Sequence, residues 1–223
     1  MGVNDNGETM TMPTSSRMAP PADYRILVPE GWFRLDVDPE RRERSVDALV
    51  NRQFDGTDSA PHIKRQLRQD LLAQAAAAFR AGGLELYLSM QQAGPLTIPA
   101  SLLVTFLPAS SHATTPSLEE VAAHLASGGQ AETAVVELAA GTAVRARRAT
   151  GGPHQTAPVG LPGKASETLP SVTLDYQLPV PGTGAHLLMT FSTPLVQIAD
   201  AMVELFDAVA GSLTWTGGDG TGE

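Results

Sequence analysis

The chain contains no cysteine, which excludes disulfides, thiolate nucleophiles, iron–sulfur clusters and cysteine-ligated zinc. Lysine is nearly absent as well: Lys64 and Lys164 stand beside 13 arginines. Aromatic residues make up only 5%, too few for the stacking platforms of single-strand nucleic-acid binders. No apolar run approaches the roughly 18 residues that a membrane-spanning helix needs. Met1 to Asp23 lacks the basic start and apolar stretch of a secretory signal. With no signal, anchor or cysteine, the expected location is cytoplasmic. The familiar catalytic and phosphate-binding strings are missing too. There is no Gly-x4-Gly-Lys-Ser/Thr, no Gly-x-Gly-x-x-Gly behind a strand and no Gly-x-Ser-x-Gly. Gly182-Thr183-Gly184 has two glycines of such a cradle but precedes a strand, so it reads as a hairpin turn.

What remains is the composition of one folded domain: 223 residues, 42% hydrophobic and 17% charged. Fifteen basic against 24 acidic residues leave a net charge of −9, which argues against nucleic acid as a partner. The charge is uneven: residues 39–82 carry +2 and residues 110–223 carry −7. The preference for Arg over Lys, with 31 alanines, is that of a high-GC bacterial coding sequence. Residues 1–23 and 216–223 lack apolar periodicity and are expected to be disordered tails. The Gly- and Pro-rich stretch 150–170 is expected to be a flexible loop within a single domain spanning 24–215.

Four helices carry boundary signals. Asp38-Pro39-Glu40 offers a cap, a first-turn proline and an acid, followed by the stripe Val46, Leu49, Val50 and Phe54. A second runs from Pro61 to Gly82-Gly83, with Ile63, Leu67, Leu71, Ala75 and Ala78 or Phe79 on one face. The third opens at Ser117, which with Glu120 can form a capping box, and stops at Gly128-Gly129. The fourth starts at Thr193-Pro194 and carries Leu195, Ile198, Ala199, Met202, Leu205, Phe206 and Val209 at helical spacing, with Asp200, Glu204 and Asp207 off the stripe.

Strand patterns fill the gaps. They run from Tyr24 to Val28, Phe33 to Val37, Leu84 to Met90, Leu102 to Leu107, Thr133 to Leu138, Thr142 to Ala149, Val172 to Leu178 and Leu187 to Phe191. Short turns at Ala139-Ala140-Gly141 and Pro181 to Gly184 join neighbours as antiparallel hairpins. The fold class is therefore α+β with an antiparallel sheet, not a doubly wound parallel one.

This order of elements resembles the Mog1/PsbP-like group, particularly its actinobacterial and other bacterial members, over roughly residues 24–215. The residues that carry the resemblance are Val28-Pro29-Glu30-Gly31-Trp32 leading a strand, the Gly-centred hairpin Glu137 to Arg145, and the closing strand, Ser-Thr-Pro, helix and Leu-Thr-Trp from Phe191 to Trp215. The resemblance implies an antiparallel sheet sandwiched between helices. It implies binding of another macromolecule, with no active site common to the group. No functional residue is carried over from it.

The residues themselves offer few candidates for chemistry. The histidines 62, 112, 124, 154 and 186 are isolated from one another; Glu120 and His124 share a helix face, where a surface contact explains them better than a metal. Asp36 and Asp38 are two apart, but Asp38 is explained as a cap. Arg41, Arg42, Arg44, Arg52, Lys64, Arg65 and Arg68 are interleaved with six acids, so their field largely cancels. Trp32 and Trp215 are expected to pack at the core or its rim.

The best polar set is Arg145 and Arg147 on one strand face, with Asp175 on a nearby strand expected to pair across from one of them. That set reads as the wet face of the sheet and as the candidate partner-binding residues. No catalytic residue, metal or cofactor is assigned. The expected function is a non-enzymatic protein-binding or adaptor domain. A small-molecule binder or enzyme with a dispersed site, and a secretion-related chaperone, remain as alternatives.

Overall fold

The computed structural model describes residues 20–54, 61–89, 91–94, 96–109, 117–127, 131–150 and 170–217. The elements are β1 (Asp23–Arg25), β2 (Trp32–Asp36), α1 (Arg42–Gln53), α2 (Pro61–Arg80), β3 (Gly83–Ser89), β4 (Gln92–Ala93), β5 (Leu96–Thr97) and β6 (Ser101–Leu107). They continue with α3 (Leu118–Ser127), β7 (Ala131–Leu138), β8 (Gly141–Thr150), β9 (Ser171–Pro179), β10 (His186–Thr193), a short 3₁₀ turn (Val196–Ile198), α4 (Ala199–Gly211) and β11 (Thr214–Thr216). Seven strands form one antiparallel sheet in the order β2-β3-β6-β10-β9-β8-β7. The expected α+β architecture is present. The stretch 151–169 of the expected loop and residues 1–19 and 218–223 lie outside the described residues.

Local chemistry sets the helix boundaries. The Asp38 carboxylate accepts the Glu40 N–H at 2.8 Å, and its carbonyl accepts the N–H groups of Arg41 and Arg42, so Asp38 closes the turn that leads into α1. The cap of the helix itself is Arg41 and not Asp38 as expected, and the regular helix begins at Arg42, after that initial turn. Ser117 and Glu120 form the reciprocal box in full: Ser117 Oγ accepts the Glu120 N–H at 3.2 Å and the Glu120 carboxylate accepts the Ser117 N–H at 2.8 Å. At Thr193 the hydroxyl accepts the Leu195 N–H, but the chain first winds a 3₁₀ turn. That tighter winding rotates the stripe. Met202, Val203, Phe206, Val209 and Ala210 are buried, while Ile198 is 46% exposed. At the end of α2, Gly82 has φ +81°, and a Cβ on Gly83 would lie 2.7 Å from the Ala78 carbonyl oxygen. Only glycine permits the turn there to sit so close to the helix.

Both faces of the sheet are used. On one, α4 packs over β9 and β10, and Leu174, Tyr176, Met189, Phe191 and Phe206 form the centre of the larger core. Phe206 stacks on Phe191 at 4.9 Å and Tyr176 meets the same ring edge-on. Trp32 and Trp215 lie at the rim of this core, as expected, and Trp215 Nε1 donates to the Ala140 carbonyl at 2.9 Å. On the other face, α1 and α2 cover β2 and β3 through Leu35, Val46, Leu49, Val50, Leu71, Ala75 and Leu86. A bulge between Gly83 and Glu85 shifts β3, leaving Leu84 exposed. The expected alternation therefore fails in β3. Leu86 and Tyr87 are both buried because each face has its own cover there.

Helix α3 packs on β7 and β8. Val144 and Ala146 are fully buried yet belong to neither core cluster. By register they share the face of Leu86 and Leu35, which places α3 on the same side as α1 and α2. Finally β1 pairs with β11, 190 residues away in sequence, as a separate two-stranded ribbon. Its ladder carries the fold to Asp23 at one end and Thr216 at the other, each one residue into an expected tail.

Candidate functional site: a polar strip between two helical covers

Reading straight across the sheet on the α1/α2/α3 side, the paired residues are Leu35, Leu86, Leu103, Thr190, Asp175, Ala146 and Thr133. The next row is Phe33, Leu88, Ser101, Ser192, Thr173, Arg148 and Ala131. A third places Leu188, Gln177 and Val144 side by side. The rows are apolar beneath α1 and α2, mostly small or apolar beneath α3 apart from Arg148 and Thr133, and polar between apart from Leu188. The strip on β9 and β10 carries Thr173, Asp175, Gln177, Leu188, Thr190 and Ser192, all half-buried. On the reverse face of those two strands the residues Leu174, Tyr176, Leu178, Leu187, Met189 and Phe191 are buried under the large core. Alternation along each strand produces this division.

Among the described residues, the side chains of Ser101, Thr173, Gln177, Thr190 and Ser192 make no hydrogen bond. Asp175 is the exception, and its partner is the Arg148 guanidinium. The strip thus presents a row of uncommitted hydroxyls and an amide beside one intramolecular ion pair.

The expected grouping of Arg145, Arg147 and Asp175 is corrected by the register. Arg145 stands opposite Tyr176 and Arg147 opposite Leu174, so both point to the α4 side; Asp175 stands opposite Ala146 and points to the strip. A shift of one residue exchanges the two faces of a strand, and here it removes Asp175 from both arginines. Their acids come from α4 instead. Arg145 bonds Asp207 through two nitrogens, at 2.8 and 3.1 Å, and Tyr176 Oη bonds the same carboxylate. Arg147 bonds Asp200 at 2.7 Å. Asp200 and Asp207 lie seven apart on the helix, two turns along one flank, which matches two arginines alternating along β8. These pairs clamp α4 to the sheet, and the only signal of them in the sequence was that matched spacing.

A second polar cluster lies on the α4 side of β2 and β3. Glu85 accepts the Tyr87 hydroxyl at 2.7 Å and pairs with Arg34. Tyr24 Oη is buried without a hydrogen bond among the described residues. Burial first, and then the Glu85 carboxylate, push both phenols well above the usual tyrosine range.

Three of the other sequence candidates are occupied by structural tasks. Glu120 is in its capping box, Arg41 pairs with Asp36 and Asp38, and Arg68 pairs with Asp47 and Glu43. A cavity of 140 Å³ opens between Trp32, Leu49, Arg52 and Gln53, smaller than the several hundred Å³ of a typical ligand site. Among the described residues no helix is long and apolar enough to cross a membrane.

No family model and no curated protein sequence matches the chain. Among solved structures it is similar to LpqN of Mycobacterium tuberculosis, a protein involved in cell envelope biogenesis, with 10% identity and a TM-score of 0.45 over 89% of this chain and 86% of that one. It is also similar to PsbP of the cyanobacterium Synechocystis, with 13% identity and a TM-score of 0.39 over 96% and 98% of the two chains. At these identities and TM-scores neither likeness carries a family or a function to this chain.

Proposed function

We propose that the chain is a non-enzymatic binding domain and that another protein docks on the polar strip of β9 and β10. The observation that supports this reading is the set of four uncommitted polar side chains of the strip, Thr173, Gln177, Thr190 and Ser192, with Ser101 of β6 beside them, in the middle of an otherwise covered face. Half-buried hydroxyls that lack internal partners can pair with a partner's polar groups without first breaking protein bonds. The flanking helices limit the approach to a band along the strands, which fits a protein segment better than a flat surface would.

The test places a bulky cation on the strip, Thr190→Arg or Thr173→Arg, and compares each variant with the unaltered chain by crosslinking in lysate of the native cell. Both positions are half-exposed, so circular dichroism should report an intact fold. The expected result is a crosslinked protein obtained with the unaltered chain and lost with both variants. A partner retained by both variants would place docking elsewhere. The alternative of a small-molecule ligand is separated by thermal shift, since a ligand at 100 times its Kd adds about 2.7 kcal/mol. A shift abolished by Thr190→Arg would favour that alternative on the same strip.

A further inference from the structure

The sheet has two edges, and they are protected unequally. At β2 the edge is five residues long, includes the charged Arg34 and Asp36, and runs into the Asp38-Pro39 turn. At β7 the edge is eight residues, Ala-Glu-Thr-Ala-Val-Val-Glu-Leu, paired to β8 through eight consecutive registers without a bulge. It has no proline, no lysine and no glycine. Among the described residues β7 has a strand neighbour on one side only. Of the devices that usually blunt a sheet edge, proline, lysine, a bulge and a very short strand are missing from it, and its only charged side chains are the exposed Glu132 and Glu137.

We infer that β7 is a strand-addition site that takes an extended, basic peptide segment as an eighth strand of the sheet. The main-chain groups along its outer side supply the ladder, and the two glutamates supply the choice of partner. Glu132 and Glu137 are five residues apart, so alternation puts one on each face of the edge. Glu132 is exposed and stands opposite Arg147, whose guanidinium is held by Asp200, so Glu132 forms no ion pair among the described residues. Glu137 is exposed and accepts only the Thr142 hydroxyl. An incoming strand with cations five apart would meet both carboxylates, one on each face. A second copy of this chain fits less well, because it would bring two more glutamates to the same edge. This site is separate from the polar strip and does not depend on it.

The experiment uses the full chain and a labelled peptide, Thr-Lys-Val-Thr-Val-Thr-Lys-Val, read by fluorescence anisotropy at low salt. Its two lysines fall opposite Glu137 and Glu132 when it runs antiparallel to β7. A Glu-for-Lys version and a version methylated at alternate backbone nitrogens are the comparison probes. Saturable binding is expected for the lysine peptide, weakened roughly tenfold or more in the Glu version. Methylation should abolish binding, because it removes the ladder donors. In the doubly substituted chain, Glu132→Lys with Glu137→Lys, the preference between the two charged peptides should reverse. Both positions are exposed, and circular dichroism of that variant checks its fold. Three results would overturn the inference: no saturable binding of the lysine peptide, equal binding of the methylated peptide, or an unchanged preference in a folded variant. Sedimentation showing β7-dependent self-association of the unaltered chain would overturn it as well.

Discussion

Replacing Asp207 by alanine tests the account of how α4 is held to the sheet. The carboxylate receives two guanidinium bonds from Arg145 and one hydroxyl bond from Tyr176, whose residue is 1% exposed. Removing it leaves the Arg145 side chain, 19% exposed, without its partner, and leaves a deeply placed hydroxyl without an acceptor. A fully buried pair broken in this way costs about 3–5 kcal/mol. Asp207 itself is 41% exposed, so water screens the pair, and about 2 kcal/mol is the reasoned loss. For a domain of this size that corresponds to a fall in Tm of roughly 4–8 °C. The internal comparison is Asp200→Ala, which also removes an arginine partner from α4. Its side chain is 87% exposed, so its loss should be about 0–1 kcal/mol. Thermal and urea unfolding of both variants measure the difference, and a cycle with Arg145→Ala should return a coupling of about 1–2 kcal/mol with Asp207. Equal shifts for Asp207→Ala and Asp200→Ala, or no coupling to Arg145, would refute the claim that burial decides which pair matters.

Gly83→Ala should destabilise the fold by about 1–3 kcal/mol, because its Cβ would meet the Ala78 carbonyl at 2.7 Å. Gly211→Ala, at the end of α4 with open space around it, should instead gain a few tenths to 1 kcal/mol, and urea midpoints compare the two. Burial pushes the His186 imidazole below its ordinary 6.5. As pH falls, the unfolded chain takes up that proton first, so the stability belonging to this group is complete above about pH 6.5 and declines below it. Stability measured from pH 8 to 5 should therefore fall less steeply in His186→Leu than in the unaltered chain. Ser117→Ala should remove one half of the capping box at a cost of about 1 kcal/mol, read as faster amide exchange in the first turn of α3.

What the sequence made legible were the features decided by near neighbours along the chain. The box at Ser117 and Glu120, the stop at Gly82-Gly83 and the hairpins at 139–141 and 181–184 each depend on a few adjacent residues. The facing of β8 was not legible for the opposite reason. Arg145 and Arg147 alternate with Val144 and Ala146 and follow Ala143, so small or apolar residues occupy both faces and the pattern does not choose between them. Only the register with β9 chooses, and that is set by contacts some 30 residues apart. The strip on β9 and β10 was half legible. Its alternation with buried residues was plain in Val172 to Leu178, but its lateral limits are drawn by α1, α2 and α3, which the strand pattern does not mention. Asp207 was placed off the apolar stripe correctly, yet a helical wheel cannot distinguish a flank that meets water from one that meets an arginine.

The pairing of β1 with β11 makes the domain a loop closed by hydrogen bonds. Asp23 sits across from Thr216, and the Ala22 N–H donates to the Thr216 carbonyl at 3.0 Å. The point where the fold begins and the point where it ends are thus about 5 Å apart. The described fold is therefore entered and left at a single corner. The same proximity suits the domain to be spliced whole into a loop of a host protein, since both junctions would meet at one place and the sheet would not have to be threaded.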